Sequence, residues 1–276
     1  AEQVFFAKDN ARKEYDYVFI DEAQDLSPSG IRLCVKCAKD PNKVFLTADA
    51  NQAIYGRAMS WKKVHDALDF RGPSIILNQN YRTSSAIVKA IFPVLEELEH
   101  SDVDTAEENS AFDGDLPSIG YYKDFDDQIS ILSEWVEEAL ISTKCSSPGC
   151  CAILHPWKKP CREIVTELGK RNPKLKPKLV EHGNMNLNYE GVHVMTMHQS
   201  KGLQFPVVVV TGLERGTLPK DWGMSSEDIK DSTTGERKLF FVACSRAMKK
   251  LLVLGRRDKP SPFLDMFDMD DWEEIN

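Results

Sequence analysis

Two acids side by side at the end of an apolar strand can hold a divalent cation and activate a water. This chain carries such a pair in Tyr15-Asp-Tyr-Val-Phe-Ile-Asp-Glu-Ala-Gln-Asp25. Asp21 offers the hard carboxylate oxygens that suit Mg2+, and Glu22 is placed to orient and deprotonate an attacking water. Farther on, Asn78-Gln-Asn-Tyr-Arg-Thr83 sets an aromatic ring, Tyr81, beside a permanent cation, Arg82. That pair suits stacking on a base and neutralising a phosphate. No Gly-x-x-x-x-Gly-Lys-Ser/Thr run occurs in the 276 residues, so this sequence has no backbone cradle for a triphosphate. The chemistry is that of nucleotide hydrolysis without its phosphate loop.

These residues need elements that hold them. Strand and helix patterns alternate along the chain, which predicts parallel α/β architecture. A strand is expected at Tyr17–Ile20, then a helix to about Ala38 with Ser27 as cap and Pro28 in its first turn. Strands follow at Val44–Thr47 and Ser74–Leu77, and Thr83 or Ser84 caps a helix reaching about Glu99. The acidic segment 100–115 has the composition of a connector. Beyond it, strands are expected at Ser118–Tyr122, Cys151–Leu154, Lys178–Glu181, Val192–Met197, Pro206–Thr211 and Leu251–Leu254. Helices are expected at Phe125–Ile141, Pro160–Lys170 and 236–248. Residues 1–77 have strands for part of a domain only, whereas 78–260 have enough for a whole one.

Composition excludes some classes. No apolar run approaches the roughly 18 residues needed to cross a bilayer, and the start shows no signal-peptide pattern. The net charge of −8 is uneven: residues 96–115 hold nine acids and 261–276 hold six, with no Lys or Arg in either. The remainder has 28 acids against 35 bases, which permits a phosphate-backbone groove. Both acidic stretches read as solvated surface, the second as an acidic tail. Seven cysteines, an odd number in a long chain, fit a reducing, cytoplasmic setting better than a disulfide scaffold. Cys34 and Cys37 fall within a helical pattern, and Cys145, Cys150, Cys151 and Cys161 match no zinc spacing.

Five runs occur in order: Asp21-Glu-Ala-Gln-Asp25, Thr47-Ala-Asp-Ala-Asn-Gln-Ala-Ile-Tyr-Gly56, Leu77-Asn-Gln-Asn-Tyr-Arg-Thr83, Val194-Met-Thr-Met-His-Gln-Ser-Lys-Gly-Leu-Gln-Phe205 and Phe241-Val-Ala-Cys-Ser-Arg-Ala-Met248. This set closely resembles motifs II to VI of the UvrD/Rep-type superfamily 1 DNA helicases, over about residues 15–255. The resemblance implies RecA-like parallel sheets flanked by helices, of the P-loop NTPase type. Residues 1–77 would be the rear part of a first domain and 78–260 a complete second one. ATP and Mg2+ would be the cofactors, with ATP between the domains. Single-stranded DNA, or a single-strand/duplex junction, would be the substrate, and movement would run 3′-to-5′. The missing N-terminal helicase half would be supplied in cis or in trans.

By the same resemblance Asp21 holds Mg2+ with Glu22, Glu22 is the general base, and Gln52 senses the γ-phosphate. Tyr81 stacks on adenine, while Arg82 and Arg246 contact the γ-phosphate as arginine fingers. Gln204 stands near the nucleotide where the family usually has a glutamate. Tyr55, Thr196, His198 and Lys201 match positions that touch single-stranded DNA. Arg57 and Ala58 depart from the usual tryptophan and arginine, with Trp61 as a possible substitute. Only a short interval separates motifs IV and V, leaving at most a vestigial insertion.

Arg82 and Arg246 are far apart in sequence, so the fold must bring their elements to one edge. A doubly wound sheet is expected to do so at the carboxyl ends of its strands, facing Asp21, Glu22 and Gln52. Two other readings remain open on sequence alone. One is a helicase-like ATPase driving a fused nuclease or defence effector. The other is a truncated, non-catalytic module that binds DNA or a partner.

Overall fold

The structure, a computed structural model, describes residues 14–48, 64–68, 79–80, 82–96, 109–181, 185–186, 188–220 and 226–275. The chain divides into two compact units, residues 1–77 with 99–107 and residues 78–98 with 108–276.

In the first unit, β1 (Val18–Ile20) and β2 (Val44–Leu46) pair in parallel, with Phe19 opposite Phe45. Between them runs α1 (Pro28–Cys37), which starts where Ser27 accepts a hydrogen bond from the Gly30 N–H at 3.1 Å. Pro28 fits the first turn because its missing N–H has no partner to lose there. Ile31 and Val35 of α1 pack on Ile20 and Val44, burying one face of the pair. Side chains alternate along a strand, so Tyr17, Phe19 and Phe45 share the other face. There the rings of Phe19 and Phe45 stack at 5.2 Å, and Phe19 remains 76% exposed.

The second unit opens with β3 (Gln79–Asn80), α2 (Ser85–Ile91) and a short α3 (Pro93–Glu96). Pro93 cannot donate the hydrogen bond that would carry α2 onward, so the single helix expected to Glu99 is interrupted. Next come β4 (Asn109–Ser110), β5 (Ser118–Tyr122), α4 (Phe125–Ser142), β6 (Cys151–His155), α5 (Lys158–Arg171) and β7 (Lys178–Leu179). The chain finishes with β8 (His193–Thr196), β9 (Phe205–Leu213), α6 (Ser226–Cys244), β10 (Ala247–Arg256) and β11 (Glu273–Ile275). Seven strands form one parallel sheet in the order β11-β5-β10-β9-β6-β8-β7.

Val207–Val210 at the sheet centre are fully buried, as strands covered on both faces must be. Ile129, Leu132 and Val136 of α4 join Ile164 and Leu168 of α5 against Val207, Val209 and Leu252. Val208 and Leu251 point the other way, toward the side on which α6 packs. Among the described residues no helix is long and apolar enough to cross a membrane, and no cluster of three His, Cys, Asp or Glu could hold a metal.

Two expectations are corrected here. The segment 261–276 is not a tail. It contributes β11 and buries Phe263, Leu264, Phe267 and Trp272, with the Phe267 and Trp272 rings 4.3 Å apart. Five of its six acids do face solvent, as read from the charge, but the apolar residues between them face in. Part of the acidic connector is likewise structured: β4 pairs with β3, and Asp115 bridges Lys250 at 2.8 Å. The strand expected at Ser74–Leu77 lies outside the described residues.

His155 ends β6 inside the protein. Its Nδ1 accepts the Trp157 N–H at 2.9 Å, so the neutral ring carries its proton on Nε2. Gly212, at φ +80°, makes room for it, because a Cβ there would fall 2.3 Å from Nε2. Burial lowers the His155 pKa from 6.5 to about 4. Below 6.5 the unfolded chain takes up a proton that the folded chain refuses, so stability must fall with pH until about 4. We expect His155→Gln to remove about 2 kcal/mol of the stability loss between pH 7 and 5. Urea unfolding at both pH values tests this, and an unchanged pH slope would refute it.

Candidate nucleotide and nucleic-acid sites

Asp21 and Glu22 leave the carboxyl end of β1, where Thr47 leaves β2. The Thr47 N–H donates to the Ile20 carbonyl at 2.9 Å, and the Ala23 N–H to the Thr47 carbonyl at 2.9 Å. This ladder carries the two strand ends forward together. It also brings the Thr47 hydroxyl to Asp21, whose Oδ1 accepts from it and from the Glu22 N–H at 3.0 Å. Glu22 takes a left-handed conformation, φ 50°, which turns the chain sharply after the strand. Its Oε2 accepts from the Gln24 amide. Both carboxylates are exposed. Two hard oxygen donors, steadied by neighbours and open to solvent, are of the type that would hold Mg2+. Thr47 stood in a motif run without an assigned role. Its position after the neighbouring strand was the available signal.

In the second unit Arg82, Gln204 and Arg246 converge. Gln204 directly precedes β9 and Arg246 directly precedes β10, and the Phe205 N–H donates to the Arg246 carbonyl at 3.0 Å. Beside Arg82, the Thr83 hydroxyl reaches the Ser245 carbonyl at 3.4 Å, and the Ser84 N–H reaches the Met248 carbonyl at 3.3 Å. The three residues therefore gather at one edge of the seven-stranded sheet, where β9 and β10 begin, rather than at the edge where its strands end. The reason is topological. A crossover helix runs back against its parallel strands, so the end of α6 arrives at the edge where β10 begins.

Arg82 is exposed, whereas Arg246 is only 5% exposed. Arg246 Nε donates to the Val242 carbonyl at 2.9 Å, and its Nη2 to the Ser245 hydroxyl at 2.9 Å. A cation closing the last carbonyls of a helix is favourable in itself. Local structure thus aims this guanidinium whatever else it meets.

Thr196, His198 and Lys201 sit in the turn that leaves β8 at the opposite, carboxyl edge. Thr196 and Gln199 form a capping box: Thr196 Oγ1 accepts the Gln199 N–H, and Gln199 Oε1 accepts the Thr196 N–H at 3.0 Å. Gln199 Nε2 ties the turn to the Val180 carbonyl at 3.2 Å. Only partial engagement therefore remains for Thr196. His198 is exposed along one side and covered by its neighbours along the other, and that desolvation lowers its pKa. Gly202 lets the chain turn toward β9 at φ +76°. Gln52, Tyr55 and Tyr81, with Arg57, Ala58 and Trp61, lie outside the described residues.

Residues 5–63 match the model of the UvrD/REP helicase N-terminal domain, and residues 174–256 match that of the UvrD-like helicase C-terminal domain. The chain belongs to the UvrD/Rep helicase family. It is 35% identical over 124 residues to the ATP-dependent DNA helicase Rep of Salmonella typhimurium, across 41% of this chain and 17% of that protein. Similarity to DNA helicase IV of Escherichia coli runs further, 24% identical over 268 residues, across 91% of this chain and 35% of the relative. This UvrD/Rep-type chain thus spans about a third or less of the length of these relatives. The crystal structure of the C-terminal domain of a possible DNA helicase from Lactobacillus plantarum WCFS1 aligns with a TM-score of 0.52 at 20% identity. It covers 71% of this chain and 99% of the other, and it supports a RecA-like arrangement of the sheet.

Proposed function

We propose that this UvrD/Rep-type chain is a portion of an ATP-dependent DNA helicase or translocase that moves along single-stranded DNA in the 3′-to-5′ sense. The observation that carries the reading is the convergence of Arg82, Gln204 and Arg246 on one sheet edge, since packing alone does not require that set in one place. Mg2+, when bound, would neutralise charge on the phosphate oxygens. Asp21, fixed through Oδ1 by Thr47 and Glu22, would hold it. Glu22 would take the proton of the attacking water, and Gln24 keeps its carboxylate in one orientation. Arg82 and Arg246 would stabilise charge developing on the γ-phosphate, while Gln52 would sense that phosphate and Tyr81 would stack on adenine. Tyr55, Thr196, His198 and Lys201 would meet the DNA.

The sequence has no phosphate loop, so these groups have no triphosphate grip of their own. The purified 276-residue chain is therefore expected to show no ATP turnover. A segment bearing a phosphate loop, supplied in cis or in trans, should restore DNA-stimulated turnover. Hydrolysis by the chain alone would overturn this division of labour.

A further inference from the structure

Tryptophan is costly to leave in water, and Trp272 is buried accordingly, yet Trp157 is 44% exposed. It is held at two points. Its backbone N–H is fixed on His155, and its indole N–H donates to the Thr217 carbonyl at 3.3 Å. A ring so constrained loses little freedom on meeting a ligand.

Its surroundings are basic. Lys220 Nζ lies 5.9 Å from the ring centroid, Lys158 and Lys159 are exposed in the first turn of α5, and Arg215 is exposed just beyond β9. Among the described residues, Glu214 pairs with Arg256 and Lys259, Glu163 with Lys159, and Glu236 accepts from the Lys220 N–H. The position matters as well. His155 pairs in register with Thr196, so Trp157 emerges at the carboxyl edge beside the turn carrying His198 and Lys201.

We propose that Trp157 is a stacking platform for an unpaired DNA base, with Lys220 and Lys158–Lys159 receiving the adjoining phosphates. This rests on the DNA-binding reading above and adds a contact outside the five motif runs. A protein partner would call for a continuous apolar patch, whereas this indole has Lys220 over its ring and Lys158 and Lys159 next to it in the chain. Base stacking needs an exposed π-face, which a single strand has and a duplex hides.

The test is fluorescence anisotropy of the 276-residue chain with labelled oligo(dT) and with a duplex of equal length. Trp157→Ala should weaken oligo(dT) binding about 10-fold, and Trp157→Phe should stay within about 3-fold of the parent. Duplex binding should not change with either. Lys220→Ala should reduce the salt dependence by about one ion. Should Trp157→Ala not fold, Trp157→Leu keeps apolar bulk without a π-face and must show the same loss. Oligo(dT) binding unchanged in a folded Ala or Leu variant would overturn the platform alone. A parent chain that binds no oligonucleotide would overturn the DNA-binding reading together with it.

Discussion

Glu22→Gln should reduce ATP turnover by at least about 10²-fold in an assembly completed by a phosphate loop, the range expected for loss of a general base. ATP binding should remain within a few-fold. Glutamine has the same length and can still hydrogen-bond Gln24, so the turn at φ 50° is not further strained. What disappears is the ability to accept a proton from water. Single-turnover hydrolysis and nucleotide binding, measured side by side, separate the two effects. Turnover near the parent level would show that another group is the base.

Arg246 carries the second large expectation. Arginine fingers in phosphoryl transfer contribute about 10³–10⁵ in rate, so Arg246→Ala should fall by about 10³-fold in the completed assembly. The same change also removes hydrogen bonds to Val242 and Ser245 at the end of α6. Hydrogen bonds from a charged donor contribute about 1.5–3 kcal/mol, so stability should drop too. Both roles can be read in one variant. If Arg246 is only a helix cap, the unfolding midpoint shifts while turnover below that midpoint persists. If it also meets phosphate, turnover is lost in protein that is still folded. Arg246→Lys should recover part of the stability and little of the rate, because a lysine has no planar fork.

Much of this was legible in the residues. Alternating strand and helix patterns predicted a parallel sheet, and Ser27-Pro28 marked the start of α1 closely. Asp21 and Glu22 stand at a strand end, as their apolar approach run suggested. The misreadings share a cause, since local pattern carries little about tertiary placement. Lys249 and Lys250 masked the early start of β10, which reaches back to Ala247. In 261–276 the charges outweighed the four buried apolar residues in and beside short turns, where neither helix nor strand periodicity can appear. Arg246 was assigned to the wrong edge because a rule about loops after strands was applied to a residue at the end of a helix. Trp157 went unnoticed because one aromatic after a buried strand does not announce that it stays in solvent.

The strand order has a consequence for biosynthesis. Within the seven-stranded sheet β5 is the first strand to leave the ribosome, yet its two neighbours are β10 and β11, the last to be made. Until residues 247–275 emerge, β5 has neither of its partners, while β6, β8 and β9 can already pair among themselves. Such long-range closure is slow and leaves strand edges open in the nascent chain. Residues 247–275 therefore act as a latch on a segment translated more than 120 residues earlier, and a ribosome that stops short of them releases a sheet with its oldest strand unclaimed.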